Sequence, residues 1–194
     1  DDEITTAGVM GLDIQDLSKR LQRSRALRPN RETRPLDVDF VASLLKEDSS
    51  MAQAVPGFEE RPQQVAMARA VAEAINQKQR LIVEAGTGVG KSMAYLLPAL
   101  LYASMNNKRI VVSTNTINLQ EQLVDKDIPD ALAGLKTDDD LFEGGEFRVA
   151  VLKGRANYLC LRRWASLKRS DSLSVPEARL LVKVLLWLQS TATG

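Results

Sequence analysis

From Glu84 to Ser92 the chain reads Glu-Ala-Gly-Thr-Gly-Val-Gly-Lys-Ser, directly after the apolar run Leu81-Ile82-Val83. Three glycines, a lysine and a serine at this spacing suit one common chemistry, the holding of nucleoside triphosphate phosphates. Gly86, Gly88 and Gly90 let the backbone turn inward, so that successive N–H groups point at one anion. A helix starting near Lys91 adds the positive end of its dipole. Lys91 would reach the β and γ phosphates, and the Ser92 hydroxyl would ligate Mg²⁺. The phosphate-contact stretch is thus Ala85, Gly86, Thr87, Gly88, Val89, Gly90, Lys91 and Ser92. It departs from the strict G-x-x-x-x-G-K-[ST] pattern only at its first position, where Ala85 stands and a small side chain still fits. The plainer reading is a glycine turn between a strand and a helix.

A loop of this kind needs a sheet to carry it. The chain has 194 residues, which bounds it to one domain or one domain with an appendage, and 44% hydrophobic residues are enough for a core. Net charge is +1, so only its distribution informs. Lys19, Arg20, Arg23, Arg25, Arg28, Arg31 and Arg34 form one basic stretch, and Lys153, Arg155, Arg162, Arg163, Lys168 and Arg169 form another. Asp138, Asp139, Asp140 and Glu143 lie between them as an acidic stretch. Such blocks serve either as solvated faces or as contacts to polyanions. The single Cys excludes an internal disulfide framework and fits a reducing, cytoplasmic compartment. No run suits a membrane span or a signal peptide. The chain starts Asp1-Asp2-Glu3 without Met, which suggests that the first residues of the natural protein are missing.

Apolar spacing predicts helices over 14–22 and 38–46, joined by a linker around 28–35. A helix from Pro62 to about Gln77 carries the stripe Val65, Ala68, Val71, Ala72, Ile75. Then follow a strand at 81–84, the glycine loop at 85–90 and a helix at 91–104. A second strand is expected over Arg109–Ser113, then a helix from about Asn118 to Val124, with Asn118 and Glu121 spaced like a capping box. After an acidic loop near 134–146, a third strand is expected over Phe147–Leu152 and helices near 156–168 and 176–190. Apolar strands alternating with helices predict an α/β fold with a parallel sheet and right-handed crossovers. The glycine loop would sit at the carboxyl end of its strand.

Four segments in order carry a resemblance: Val55-Pro-Gly-Phe-Glu-Glu-Arg-Pro-Gln-Gln64, the glycine loop, Val112-Ser-Thr-Asn-Thr-Ile-Asn-Leu-Gln-Glu-Gln-Leu123, and Leu152-Lys-Gly-Arg-Ala-Asn-Tyr-Leu-Cys160. Together they resemble the amino-terminal part of a DinG-type ATP-dependent DNA helicase, a superfamily 2 enzyme similar to the XPD group, over roughly residues 50–194. The resemblance implies an incomplete first RecA-like P-loop domain over 51–152, a helical amino-terminal connector over 1–50, and over 153–194 the helical start of an inserted iron–sulfur domain. It implies ATP and Mg²⁺ as cofactors, single-stranded DNA as partner and a place in DNA repair. Some relatives carry an exonuclease domain upstream.

By the same resemblance, Gln64 reads adenine, Phe58 stacks on the base and Arg61 orients it. An amide can donate to one adenine edge atom and accept from its amino group. Without the family, Gln64 reads as an exposed residue in a first helical turn. Ser113, Thr114, Asn115 and Thr116 would contact the DNA backbone, although His is often found where Asn115 stands. Thr116 or Asn118 also reads as an ordinary helix cap. Lys153 and Arg155 extend the same track. Cys160 would be the first of four thiolates holding a [4Fe–4S] cluster in the full-length protein. In this chain alone it reads as a buried, free thiol in a helix. Trp164 and Trp187 read as packing residues.

Hydrolysis also needs an acidic pair after another strand. Asp2-Glu3 is the only adjacent Asp-Glu here, and no apolar strand precedes it. The chain reads as half of a motor, expected to bind nucleotide weakly without turning it over. The competing readings are a P-loop enzyme of another class and a non-catalytic nucleic-acid binding module.

Overall fold

The structure is a computed structural model. It describes residues 27–136, 147–170 and 172–190. The helix expected at 14–22 and the acidic stretch at 138–143 lie outside these residues. Among the described residues, 27–150 belong to one compact unit and 151–190 to another.

In the first unit, Asp37 accepts N–H groups from Asp39 and Phe40 and starts α1 (Val38–Ser43). This helix stops three residues short of the expected end. Ser49 then caps α2 (Ser50–Ala54), which the sequence pattern did not reveal. The long helix α3 (Pro62–Gln77) has its expected bounds, with Pro62 in the first turn, where its missing N–H costs nothing. It closes on Lys78 in the left-handed region at φ 55°. The P-loop helix α4 (Lys91–Asn106) runs two residues past the expected end and stops at Asn107, φ 49°. Next, α5 (Ile117–Gln122) passes through a π-turn (Leu123–Asp127) into α6 (Ile128–Lys136). The cap of α5 is Thr116, whose hydroxyl accepts the Leu119 N–H at 3.3 Å.

Small side chains set the packing. α3 lies against α4, with Ala68, Ala72 and Ala94 fully buried beside Leu97 and Leu101. α1 covers α3. α2 crosses α6 where Gly134 faces Met51; a Cβ at Gly134 would run into the Met51 side chain.

The expected strands 81–84, 109–113 and 147–152 are not formed: no described residue belongs to a strand. The apolar segments are present, and their side chains alternate in exposure as on a pleated chain. Leu81, Ile82 and Val83 are 42%, 98% and 41% exposed, and Ile110, Val111 and Val112 are 39%, 82% and 40%. A parallel strand exists only through hydrogen bonds to a neighbour. An open cavity of about 450 Å³ beside α3, lined by Met67, Val71, Ile75, Leu81 and Val83, follows the first of these segments.

The linker expected at 28–35 is irregular, but it is pinned to the ends of α3 and α4. Asn106 is fully buried. Its Oδ1 accepts the Arg34 N–H at 2.6 Å, and its Nδ2 donates to the carbonyls of Arg34 and Tyr102 at 3.1 and 3.0 Å. Asn76 holds Leu36 the same way, accepting its N–H and donating to its carbonyl at 2.8 Å each. Each amide pairs with the strap backbone as a neighbouring strand would.

In the second unit, the helix expected at 156–168 is interrupted. A 3₁₀ turn (Arg155–Asn157) precedes α7 (Leu161–Lys168), and α8 (Val175–Ser190) follows. Ser174 donates from its N–H and hydroxyl to Glu177 at 2.9 and 2.6 Å, which fixes the start of α8. Trp164 is buried, whereas Trp187 is 41% exposed.

Asn106→Ala strands two carbonyls and one N–H under the strap. Chemical denaturation of the purified chain should show a loss of about 1–3 kcal/mol, the cost of leaving buried polar groups unpaired.

Candidate nucleotide-binding site

The glycine loop joins segment 81–83 to α4. Gly88 and Gly90 have φ of 79° and 77°, left-handed values that residues with a Cβ rarely adopt. Gly90 is the cap of α4 and has no side chain to offer its first turn. A Cβ there would also strike the Gln64 amide. Lys91 turns back on the loop and its ammonium donates to the carbonyls of Ala85 and Gly86 at 2.9 and 2.8 Å. Ser92 follows in the first turn of α4. The loop therefore offers backbone N–H groups, a flexible cation and a hydroxyl, the donor set that suits a polyphosphate with its divalent cation.

α3 and its approach brace this loop. Gln64, only 5% exposed, donates from Nε2 to the Gly90 carbonyl at 2.8 Å. This excludes the exposed-glutamine reading and makes Gln64 a support of the loop. Arg61 donates from Nη1 to the Gly88 carbonyl at 2.8 Å, and its Nη2 pairs with Glu59 at 2.9 Å. The sequence reading missed Glu59, because an acid two residues away in a loop carries no periodic signal. Phe58 is partly buried and packs on the core.

Ser113, Asn115 and Thr116 are exposed and Thr114 is half-buried, at the turn before α5. The Thr114 hydroxyl donates to the Thr116 carbonyl at 3.2 Å, and Thr116 caps the helix. In the second unit Arg155 is exposed and Lys153 half-buried.

Cys160 is exposed, not buried inside a helix as the reading of this chain alone had it, because it stands before α7 as its cap residue. It makes no capping bond of full geometry. Even so, the Arg163 N–H aimed at the sulfur, helped by the Arg162 N–H and both guanidinium charges, holds the thiol below its ordinary range against the opposing effect of desolvation. Among the described residues no group of three His, Cys, Asp or Glu converges as a metal site. With one Cys in its sequence, the chain by itself cannot hold an iron–sulfur cluster.

A glycine loop with left-handed turns, a lysine and a serine opening a buried helix, and a glutamine bracing that helix make up an arrangement of P-loop type. Residues 62–134 match the DEAD/DEAH box helicase family. The chain is 39% identical over 155 residues to an ATP-dependent DNA helicase YoaA of Haemophilus influenzae, covering 79% of this chain and 22% of that protein. It is 47% identical over 116 residues to the Escherichia coli ATP-dependent DNA helicase YoaA, covering 60% of this chain and 16% of that one. It is 32% identical over 147 residues to a protein of Bacillus subtilis named 3'-5' exonuclease DinG, covering 76% and 15%. No solved structure matches. The chain is a relative of the YoaA and DinG helicases that carries a DEAD/DEAH box helicase segment, and it spans about a fifth of their length or less.

Alkylation of Cys160 should reach half its limiting rate at a lower pH in the folded chain than in the denatured one. The folded thiol has the lower pKa, so more thiolate is present at a given pH, and the thiolate is the reacting form. Iodoacetamide rates across pH, read by mass spectrometry, check this. Coincident profiles would mean that the start of α7 does not act on the sulfur.

Proposed function

We propose that this chain is the nucleotide-binding part of an ATP-dependent DNA helicase that couples ATP binding and hydrolysis to movement on single-stranded DNA. The observation that carries the proposal is the braced P-loop, in which the Lys91 ammonium rests on loop carbonyls that a triphosphate can outcompete. Lys91 would reach the β and γ phosphates, and the Ser92 hydroxyl would hold Mg²⁺, which would neutralise phosphate charge there. Gln64 keeps one N–H on Gly90 and has its amide oxygen and second N–H for adenine. Phe58 and Arg61 complete the base site. Ser113–Thr116 contact DNA phosphates through hydroxyls and N–H groups, and Lys153 and Arg155 add positive charge. In the whole protein Cys160 is one cluster ligand; its exposure and its lowered pKa support that role. The protein acts in the cytoplasm, and among the described residues no helix is long and apolar enough to cross a membrane. An upstream exonuclease domain is part of the proposal, supported by the exonuclease named in the Bacillus subtilis relative.

The purified chain should bind ATP weakly and not turn it over. The whole protein should hydrolyse ATP and lose that activity in Lys91→Ala. Gln64→Ala should weaken ATP by about 1–3 kcal/mol and inorganic triphosphate by less. Equal weakening of both ligands, measured by calorimetry, would leave Gln64 as a loop support only. Turnover by the chain alone that depends on Lys91 would overturn the division of labour.

Binding of single-stranded DNA by the whole protein should ignore sequence and weaken steeply with salt, with a slope of about −0.7 per neutralised phosphate. Replacing Lys153 and Arg155 together by Ala should reduce the slope by roughly 1–2 units. Thr114→Val should weaken binding with little change in slope, since it removes an uncharged contact. A slope unchanged by the double substitution would place the DNA track elsewhere.

A further inference from the structure

The basic stretch from Arg28 to Arg34 takes no part in the nucleotide site. It crosses the carboxyl end of α4 as a strap, tied down through its backbone. The Arg28 carbonyl accepts from Asn107 Nδ2 at 2.5 Å, and the Asn30 N–H donates to the Asn106 carbonyl at 3.0 Å. The Arg34 N–H and carbonyl are both held by the Asn106 amide. Lys108 is fixed beside the strap. Its Nζ donates to the Thr33 hydroxyl at 2.7 Å and the Tyr102 hydroxyl at 3.2 Å, and lies 5.3 Å from the centre of the Tyr102 ring. Arg109 is the next residue in the chain. Glu32 is the one acid inside the strap, and Asp37, just beyond it, is engaged in capping α1.

A structural reason for cations here would be the last carbonyls of α4, the negative end of the helix dipole. Those carbonyls are already taken by uncharged donors. Ala103 and Ser104 accept the backbone N–H groups of Lys108 and Asn107, Met105 accepts from the Asn30 side chain, and Asn106 accepts the Asn30 N–H. Arg28, Arg31, Arg34 and Arg109 are exposed, and their side chains make no hydrogen bond or ion pair among the described residues. Each guanidinium keeps all five N–H donors, and like charges gathered on one fixed backbone repel until an anion joins them.

The chemistry of the patch selects the anion. No exposed large apolar side chain lies among residues 28–34 or 105–109. A protein partner would find no apolar or aromatic anchor there, the feature that protein interfaces are built around. A nucleic-acid backbone needs none, because guanidinium forks match phosphate oxygens directly. We infer that the strap is a second DNA contact, in which Arg28, Arg31 and Arg34, flanked by Lys108 and Arg109, hold the phosphates of a strand. The inference rests on the helicase reading for the identity of the polyanion. α4 has 16 residues, so the strap stands about 24 Å from Lys91, and a strand held there does not touch the nucleotide.

The test uses the whole protein and the salt dependence of its affinity for single-stranded and for duplex DNA. Arg28→Ala, Arg31→Ala and Arg34→Ala together should lower the slope by about 2 units on the single strand, or by about 3 on the duplex if that is the form held. Melting temperature and basal ATPase should stay near those of the parent, since the strap is pinned through its backbone. The triple Arg→Lys variant should keep the parent slope, because it keeps the charge. Triple Arg→Gln, which keeps side-chain length, decides the matter if the alanine variant does not fold. Folded neutral variants with parent slopes on both DNA forms would overturn the inference and leave the helicase reading intact. So would the same loss in the lysine variant, which would make the effect one of shape. Parent slopes combined with lost binding of polyglutamate would also overturn it, in favour of an acidic protein. A parent protein that binds neither DNA form would overturn the helicase reading, and the inference with it.

Discussion

The seam between α3 and α4 is the constraint on which the nucleotide site depends. Alanines at 68, 72 and 94 are fully buried where the two helices pack, and the leucines of α4 fill the flanks. There the Gln64 amide reaches the Gly90 carbonyl, the cap of α4. A larger residue at any of the three alanines would move α3 outward and break this brace before it disturbed the loop itself, because a close-packed interior has no void to absorb a methylene. Gly90 answers from the other side. A Cβ there would meet Gln64, and its φ of 77° already favours glycine. The brace and the loop are therefore one unit, built before any phosphate arrives.

How far the sequence could be read follows from which partners each residue needs. α3 carries its own start signal in Pro62 and its own stripe of small apolar residues, so its bounds were legible to the residue. The glycine loop was legible because its chemistry is local. α2 was not, since five residues offer no periodicity, and its reason for being there is Gly134, more than 80 residues away. The start of α5 held two candidates, Thr116 and Asn118; the structure chooses Thr116, whose hydroxyl reaches the Leu119 N–H. The role of Asn106 was also hidden, because a buried Asn inside an apolar helix carries no pattern until its strap is in place.

The expected sheet is instructive. Ile82, Val111 and Leu152 are 98%, 82% and 85% exposed, values a core strand never shows. Their continuous apolarity was read as strand character, but a ladder is a property of pairs, and no described residue belongs to a strand. Segments 81–83, 110–112 and 149–151 follow one another in sequence with helices between them, and parallel strands so connected need not be neighbours. Exposed apolar edges of this kind also make an isolated chain prone to self-association.

The Lys91 ammonium donates to two carbonyls of its own loop. A triphosphate must displace it, and gains in return a lysine already within a side-chain rotation of the phosphates. The Arg61 clamp on Gly88 and the Gln64 clamp on Gly90 hold two of the three loop glycines while this exchange takes place. Only Gly86 and Lys91 then need to move. Backbone N–H groups and a lysine on one loop are together a donor set that suits a polyphosphate.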